Sequence, residues 1–260
     1  YLNAPYGLVT GTKVKVLDGN EHTASAIWLT STMYYNTLEE LIQAVSETYT
    51  GTDKGQERTS TGYRNQREVY AIKTASTANG VTTTLLDQKG YDPRGRLVHE
   101  WHSINGGTPV LVSSLTYDET GRMVQNALGN SLVTNTFTYD IQNRLRKIND
   151  PANLGTKPFA LELQYSSPNV TGATAQFAGN ISAARWKHLS GGEQTYYYNY
   201  DSYSRMTAGY HNGNNNEQSI GYDSNGNISA LTRTGVQSAG LSYTYSGNRL
   251  TSLTKDGTSY

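Results

Sequence analysis

Two stretches of the chain carry residue types whose spacing suggests metal chemistry. His99-Glu100-Trp101-His102 is similar to part of the zinc-protease motif, in which two histidines four residues apart on a helix bind the metal. Here the histidines are three apart and follow a predicted turn, so on a strand they face opposite sides of the sheet. Asp223-Ser224-Asn225-Gly226-Asn227 is similar to the start of a calcium loop. That loop needs glycine and an acid where Ile228 and Thr234 stand, so we predict no metal and no cofactor.

Five aspartates are the remaining candidates for acid–base catalysis, and each directly follows a tyrosine. Their fixed place at predicted turn starts favours a structural role, and no neighbouring group indicates a carboxyl in a perturbed environment. His22, His188 and His211 have no predicted partner, and the sequence contains no glycine-rich phosphate loop or nucleophile elbow. We therefore predict a protein that is not an enzyme and has no catalytic residue.

Composition excludes further classes of function. The chain has 21 basic and 21 acidic residues, and this zero net charge argues against a nucleic-acid or anionic-membrane partner. It has no cysteine, which excludes disulfides and thiolate sites. No stretch approaches the roughly 20 apolar residues of a membrane span. Tyrosine is the unusual residue, with 21 copies beside three Phe and three Trp, and it favours half-buried strands.

The tyrosines belong to a repeated unit, Tyr-Asp-x-x-Gly-Arg-Leu. An aspartate three residues before a glycine is typical of a type I turn, and a left-handed glycine after it closes a three-residue hairpin loop. Apolar residues alternate along the arms, so each hairpin has one apolar face, and Asp and Arg are expected to pair across the turn. The predicted structural residues are Tyr91, Asp92, Gly95, Arg96, Tyr117, Asp118, Gly121, Arg122, Tyr139, Asp140, Arg144, Tyr200, Asp201, Arg205, Tyr222, Asp223 and Gly226.

Weaker copies extend the series on both sides. Tyr245 begins a copy that is one residue shorter, Tyr63 is followed by Arg64 in place of Asp, and Tyr35 is followed by Asn36. Residues 37–47 also have a capping-box pattern with helical spacing, but the repeat register favours a hairpin there. We predict N-terminal strands in 1–34, repeat hairpins in 35–150, an irregular insertion with short strands in 151–190, and further hairpins in 191–260, all in one continuous domain.

The tandem Tyr-Asp-x-x-Gly-Arg-Leu unit resembles the Rhs/YD-repeat family. The resemblance covers about residues 35–260, and Tyr6–Lys13, Trp28–Thr30 and Gly179–Ser182 are similar to members from Bacteroides-type bacteria. It implies an all-β fold in which tandem antiparallel hairpins form one continuous, strongly twisted or spiralling sheet, a fragment of a hollow shell. Such shells enclose a C-terminal toxin in bacterial toxin complexes, and a similar shell occurs in teneurins. The family's self-cleaving core segment has no counterpart here.

The resemblance implies a structural segment of a large exported bacterial protein, secreted or on the cell surface. Its partners would be other repeats and a C-terminal cargo of the same polypeptide, with no nucleic acid. The alternative is a cell-surface adhesion module that binds carbohydrate or protein through tyrosine-rich sheet faces. Tyrosine rings suit such a surface because they are apolar bodies with a polar tip, and equally suit a shell wall. The candidate ligand surface is Tyr196, Tyr197, Tyr198 and Tyr203.

Overall fold

Alternating apolar and polar residues produce strands almost throughout the chain. The computed structural model describes residues 7–17, 22–23, 25–64, 67–235 and 238–259. This part of the chain contains twenty strands, and every strand pairing within it is antiparallel. A short 3-10 turn occurs at Pro151–Asn153, and the described residues form no α-helix. The predicted all-β fold of tandem antiparallel hairpins is confirmed.

The chain divides into two compact units, one ending at Thr134 and the other beginning at Asn135. In the first unit each strand pairs with the next one along the chain, which makes a meander. Its strands are β1 (Gly11–Lys15), β2 (Trp28–Tyr35), β3 (Leu41–Tyr49), β4 (Lys54–Arg64), β5 (Glu68–Ala78), β6 (Val81–Tyr91), β7 (Leu97–Ile104), β8 (Val110–Tyr117) and β9 (Met123–Leu128).

The second unit repeats this arrangement, again with each strand paired to its successor. Its strands are β10 (Val133–Tyr139, beginning just before the division), β11 (Leu145–Ile148), β12 (Phe159–Gln164), β13 (Ala183–His188), β14 (Gln194–Tyr200), β15 (Met206–His211), β16 (Glu217–Tyr222), β17 (Ile228–Arg233), β18 (Ala239–Ser246), β19 (Arg249–Lys255) and β20 (Thr258–Ser259). The predicted boundaries at 34, 150 and 190 stay predictions.

Few side chains are fully buried, as expected of a sheet whose faces are partly exposed to solvent. Most of the buried apolar residues lie in the second unit, around β12 to β15, and they include Ala160, Tyr165, Ala183 and Ala208. No helix in the described ranges has the length and apolarity needed to cross a membrane.

The segment with the helical pattern forms a hairpin. Residues 36–40 make a turn, β3 follows it, and Tyr35 pairs with Leu41 in the register of the repeat. The Oδ1 atom of Asn36 accepts the backbone amides of Leu38 and Glu40 at 2.9 Å each, which closes the turn. Pairing of β3 with strands on both sides outweighs the local helical preference.

Candidate functional site

Each repeat turn is organised around its aspartate. In the copy at Asp118, Oδ1 accepts the amides of Thr120 (3.0 Å) and Arg122 (2.9 Å), and Nε of Arg122 donates to Oδ2 at 2.7 Å. The backbone closes the turn, because the Gly121 amide donates to the Asp118 carbonyl and the Asp118 amide to the Arg122 carbonyl. The same side-chain pattern recurs at Asp92, Asp140 and Asp201, and at Asp223 with Asn227 in place of arginine.

These hydrogen bonds favour the charged form of the aspartates. A hydrogen bond from the Thr120 hydroxyl, with those from Arg122, holds the pKa of Asp118 well below its usual range. Backbone and side-chain bonds from Arg96 lower the pKa of Asp92, and bonds led by the Asn227 side chain lower that of Asp223. At Asp140 and Asp201 partial desolvation opposes the effect, but hydrogen bonds from Arg144 and Arg205 still leave the pKa lowered. Such a carboxylate is an acceptor held in place, not a proton donor or base near neutral pH.

Acid is therefore expected to weaken the repeat turns. A carboxyl whose pKa is lower in the folded than in the unfolded state stabilises the fold above the unfolded value of about 3.9, and this contribution is lost as pH falls through the folded value. The melting temperature should fall steeply below about pH 4. Asp118→Asn, which cannot titrate, should melt at a lower temperature at neutral pH but show a shallower acid dependence. A melting temperature that stays constant down to about pH 2 would contradict this reading.

The fifth residue of each Tyr-Asp-x-x-Gly-Arg-Leu unit has a left-handed backbone conformation. Gly95, Gly121 and Gly226 have φ between 78° and 91°, and Asn143 and Ser204 reach φ 62° at the same position. This conformation costs a non-glycine residue about 1–2 kcal/mol. At each of these copies the amide of the left-handed residue donates to the carbonyl of the aspartate, so the structure shows the predicted hydrogen-bonded turn with a left-handed closing residue.

Exchanging serine and glycine between two copies should change stability in opposite directions. Ser204→Gly is expected to raise the free energy of unfolding by about 1 kcal/mol, because it removes the left-handed penalty. Gly226→Ser is the matched control and should lower it by a similar amount, since a Cβ there meets no atom within 4 Å and the cost is confined to the backbone. Urea unfolding measures both; a destabilising Ser204→Gly would show that the serine hydroxyl matters more than the backbone.

Side chains also join successive repeats, which the sequence motif alone does not reveal. Cζ of Arg96 lies 4.5 Å from the ring centre of Tyr117, the tyrosine of the next copy, and the Tyr117 hydroxyl donates to the Leu97 carbonyl at 2.9 Å. Arg205 and Tyr222 repeat this contact at 4.3 Å, with a hydrogen bond from Tyr222 to the Met206 carbonyl. The guanidinium group of each arginine thus donates to the aspartate of the same turn and stacks on the tyrosine ring of the next repeat. The arginine and tyrosine of the repeat unit therefore act between hairpins as well as within one, and they fix the register of successive hairpins.

The weaker copy at Tyr63 keeps this geometry with its charges exchanged. Arg64 stands at the aspartate position and Glu68 at the arginine position, and Arg64 Nε donates to Glu68 Oε2 at 2.6 Å. Arg64 also lies 4.8 Å from the ring centre of Tyr91, so it makes the contact to the next repeat that the usual arginine makes. This copy departs from the motif in that the acidic and basic residues have exchanged places, and the ion pair between them is kept.

A charge-exchange experiment tests this equivalence. Arg64→Asp alone places two acids together and Glu68→Arg alone places two bases together, so each is expected to lower stability by up to about 1 kcal/mol at this partly exposed position. The double variant restores the common motif and should recover most of the loss. Urea unfolding of all four proteins gives the coupling energy; additive losses in the double variant would mean that the pair does not matter.

Tyr165 is a repeat tyrosine that lies outside the predicted series, because no aspartate follows it. Its hydroxyl donates to the Leu145 carbonyl at 3.0 Å, and Cζ of Arg144 lies 4.0 Å from its ring centre. The next member of the series, Tyr200, bonds the carbonyl of Ile181. The predicted insertion therefore contains a repeat hairpin, β12–β13, whose short turn is replaced by a long loop. A signal was available, since Tyr165 stands 26 positions after Tyr139, the same spacing as that from Tyr91 to Tyr117.

The four tyrosines of the candidate ligand surface do not share one surface. Tyr196 and Tyr198 lie on one face of β14, with ring centres 5.7 Å apart and planes 6° apart, and Trp186 stacks on Tyr196 at 5.9 Å. Tyr197 faces the opposite side, where it stacks on Tyr210 at 4.8 Å. Tyr203 stands at a hairpin tip and is 80% exposed. The four candidate tyrosines therefore belong to two separate aromatic groups, on opposite faces of β14, and to one hairpin tip.

The histidine motif has no metal-binding geometry. His99 and His102 pair with Gly90 and Asp87 of β6 and, being three residues apart on a strand, point to opposite faces. His102 Nε2 lies 3.1 Å from Asp87 Oδ1, and the His99 ring packs 5.3 Å from that of Trp101. The calcium-like stretch is the turn at Asp223 described above. Within the described ranges no three histidine or acidic residues cluster in a way that could hold a metal ion.

Comparison with known proteins finds the same kind of fold in toxin complexes. The chain is similar to the Tc holotoxin pore of Photorhabdus luminescens, with a TM-score of 0.53 and 16% identity over 96% of this chain. It is similar to the same degree to the crystal structure of TcdB2-TccC3-TEV, with a TM-score of 0.53, 17% identity and 96% coverage. In each case it spans 13% of the solved chain. No protein-family model matches the sequence, and neither does any curated protein.

At this level of identity the comparison establishes the class of fold. These structures come from toxin complexes, and what this chain shares with them is the fold. Membership of a Bacteroides-type group stays a prediction.

Proposed function

We propose that the chain is a non-enzymatic, structural segment of the YD-repeat shell of a larger exported bacterial protein, secreted or on the cell surface. The observation that supports this most is the serial link between repeats, in which the arginine of one hairpin holds the tyrosine of the next. Almost every titratable group in the repeat unit is used in that link or in closing a turn. The sheet built this way serves as a wall, and its partner is another part of the same polypeptide, such as the C-terminal toxin that the resemblance implies.

Protease protection of the natural polypeptide tests the proposal. We expect a segment outside the repeats to resist cleavage while the repeats are folded, and to become sensitive when two links are removed by Tyr117→Ala and Tyr165→Ala together. Tyr203→Ala, at an exposed tip, is the matched control and should leave protection unchanged. Cleavage of every other segment at the rate of an unfolded peptide, with the repeats intact, would contradict enclosure.

A second candidate function is a cell-surface module that binds carbohydrate or protein. Its support is the stacked rings on the two faces of β14, Trp186 with Tyr196 and Tyr198 on one side and Tyr197 with Tyr210 on the other. Flat aromatic groups of this kind contact ligands with apolar faces and polar edges. They also suit the wall of a shell, so the two functions are distinguished by ligand binding and not by geometry.

A further inference from the structure

One loop of the second unit departs from the repeat. Five residues separate Tyr91 from Leu97 in an ordinary copy, whereas fifteen separate Tyr165 from Ile181. The two strands that this loop joins, β12 and β13, pair regularly from Phe159 to Gln164. The extra residues are therefore unnecessary for the hairpin, and loops of this length in a compact array are commonly functional.

The loop is fixed over one face of the sheet at two points. Gln164 is almost fully buried, and its side-chain amide binds Asn169 twice, donating to Asn169 Oδ1 at 2.6 Å and accepting the Asn169 amide at 2.9 Å. Gly172, with φ 90°, lies so close to the Tyr197 ring that a Cβ would come within 2.8 Å of the ring carbon Cζ. The loop thus has a defined position above Tyr197 and not a free path through solvent.

Between the loop and the sheet lies an open cavity of about 460 Å³, within the range of small-molecule sites. The stacked rings of Tyr197 and Tyr210, whose planes are 23° apart, form part of its lining. Thr171 of the loop and Thr195 and Asn212 of the sheet side add hydroxyl and amide groups. The cavity therefore combines a flat aromatic surface with groups that donate and accept hydrogen bonds.

The one arginine of the cavity is already neutralised. Arg185 donates to both carboxylate oxygens of Glu193, at 3.1 Å and 2.7 Å, and to Glu162 at 3.4 Å. The hydrogen bonds to Glu193 raise the pKa of Arg185. A phosphate or carboxylate ligand would have to displace these acids, so the charge pattern disfavours an anion and favours a neutral polar ligand.

We propose that this cavity binds a neutral sugar residue of an oligosaccharide. A pyranose has a C–H face that packs on an aromatic ring and equatorial hydroxyls that pair with amide, hydroxyl and carboxylate groups, which is the combination around Tyr197, Tyr210 and Asn212. The proposal rests on the second candidate function, and it names the face, the cavity and the chemical class of the ligand. The aromatic group on the other face, Tyr196 and Tyr198, is not part of it.

Titration calorimetry of the whole chain with short neutral gluco-, manno- and galacto-oligosaccharides tests the proposal. Thr171→Trp fills the cavity from an exposed loop position, so it should leave the fold intact and weaken binding by roughly tenfold or more. Thr174→Trp, an exposed position of the same loop that does not line the cavity, is the matched control and should bind as the parent does. Glu193→Gln, which keeps the shape but loses the charge that orients Arg185, should also weaken binding.

Tyr198→Leu, on the opposite face, separates this proposal from the function on which it rests. Binding that is lost in Thr171→Trp but kept in Thr174→Trp and Tyr198→Leu supports the cavity. Binding that is lost in Tyr198→Leu and kept in Thr171→Trp overturns the cavity while leaving a carbohydrate-binding face. Absence of binding by every neutral oligosaccharide in the panel overturns both, with circular dichroism confirming that each variant is folded.

Discussion

Replacing Tyr165 by alanine is expected to lower the free energy of unfolding by about 3–5 kcal/mol, the usual cost of removing a buried aromatic ring. The ring is 5% exposed, its hydroxyl binds the Leu145 carbonyl, and Arg144 packs on its face, so the change removes all of these contacts at once. Burial also raises the pKa of the Tyr165 hydroxyl, which keeps it a donor at any ordinary pH. Urea unfolding followed by circular dichroism measures the loss.

Two control variants divide this effect into its parts. Tyr165→Phe keeps the ring and removes only the hydrogen bond to Leu145, so a loss of about 1 kcal/mol is expected. Tyr203→Ala removes an exposed tyrosine that is not a repeat residue and should change stability by less than about 0.5 kcal/mol. Equal losses for Tyr165→Ala and Tyr203→Ala would show that Tyr165 is not a link between repeats.

The second large effect is expected at the buried ion pair between Arg185 and Glu162. Arg185→Met leaves Glu162, whose side chain is 9% exposed, with the more distant Arg146, at 3.9 Å, as its remaining ion-pair partner among the described residues. Removing one partner of a buried pair costs about 3–5 kcal/mol, because the remaining charge is desolvated without compensation. We expect a loss near the lower end of that range, since Arg146 gives partial compensation.

The double variant Arg185→Met with Glu162→Leu provides the decisive comparison. Replacing both charges by apolar groups of similar volume is often neutral, so the double variant should regain most of the stability lost in Arg185→Met. Glu193→Gln, which affects the more exposed partner of Arg185, should cost less than about 1 kcal/mol. A double variant as unstable as Arg185→Met would indicate that packing of the arginine stem, and not the charge of Glu162, is what the fold requires.

The hairpins were predictable from sequence because their causes are local. An aspartate that binds amides two and four residues ahead and a left-handed glycine after it specify a turn without help from the rest of the chain. The competing helix at residues 37–47 was outweighed by the pairing of β3 with strands on both sides, while Asn36 closes the turn before it as the aspartates do elsewhere. Each copy of the sequence motif therefore forms the hairpin that its residues predict.

What sequence could not supply are the contacts that depend on neighbours. The stacking of Arg96 on Tyr117 needs the pairing of strands between hairpins, and the exchange of charges at Arg64 and Glu68 is recognisable only when both lie across one turn. The separation of Tyr197 from Tyr196 follows from strand alternation, but the enclosure of Tyr197 by a loop does not. The cavity is a product of that loop, whose path no local rule specifies.

A cryo-electron microscopy reconstruction of the natural polypeptide that contains this chain tests both the links between repeats and the proposed shell. We expect each repeat arginine to lie between its own aspartate and the tyrosine of the next hairpin, and the sheet to form a wall with polypeptide density on its inner side. Repeats that are joined in this way but enclose nothing would contradict the proposed shell function. Tyrosines and arginines of successive repeats that do not meet would contradict the structural basis on which it stands.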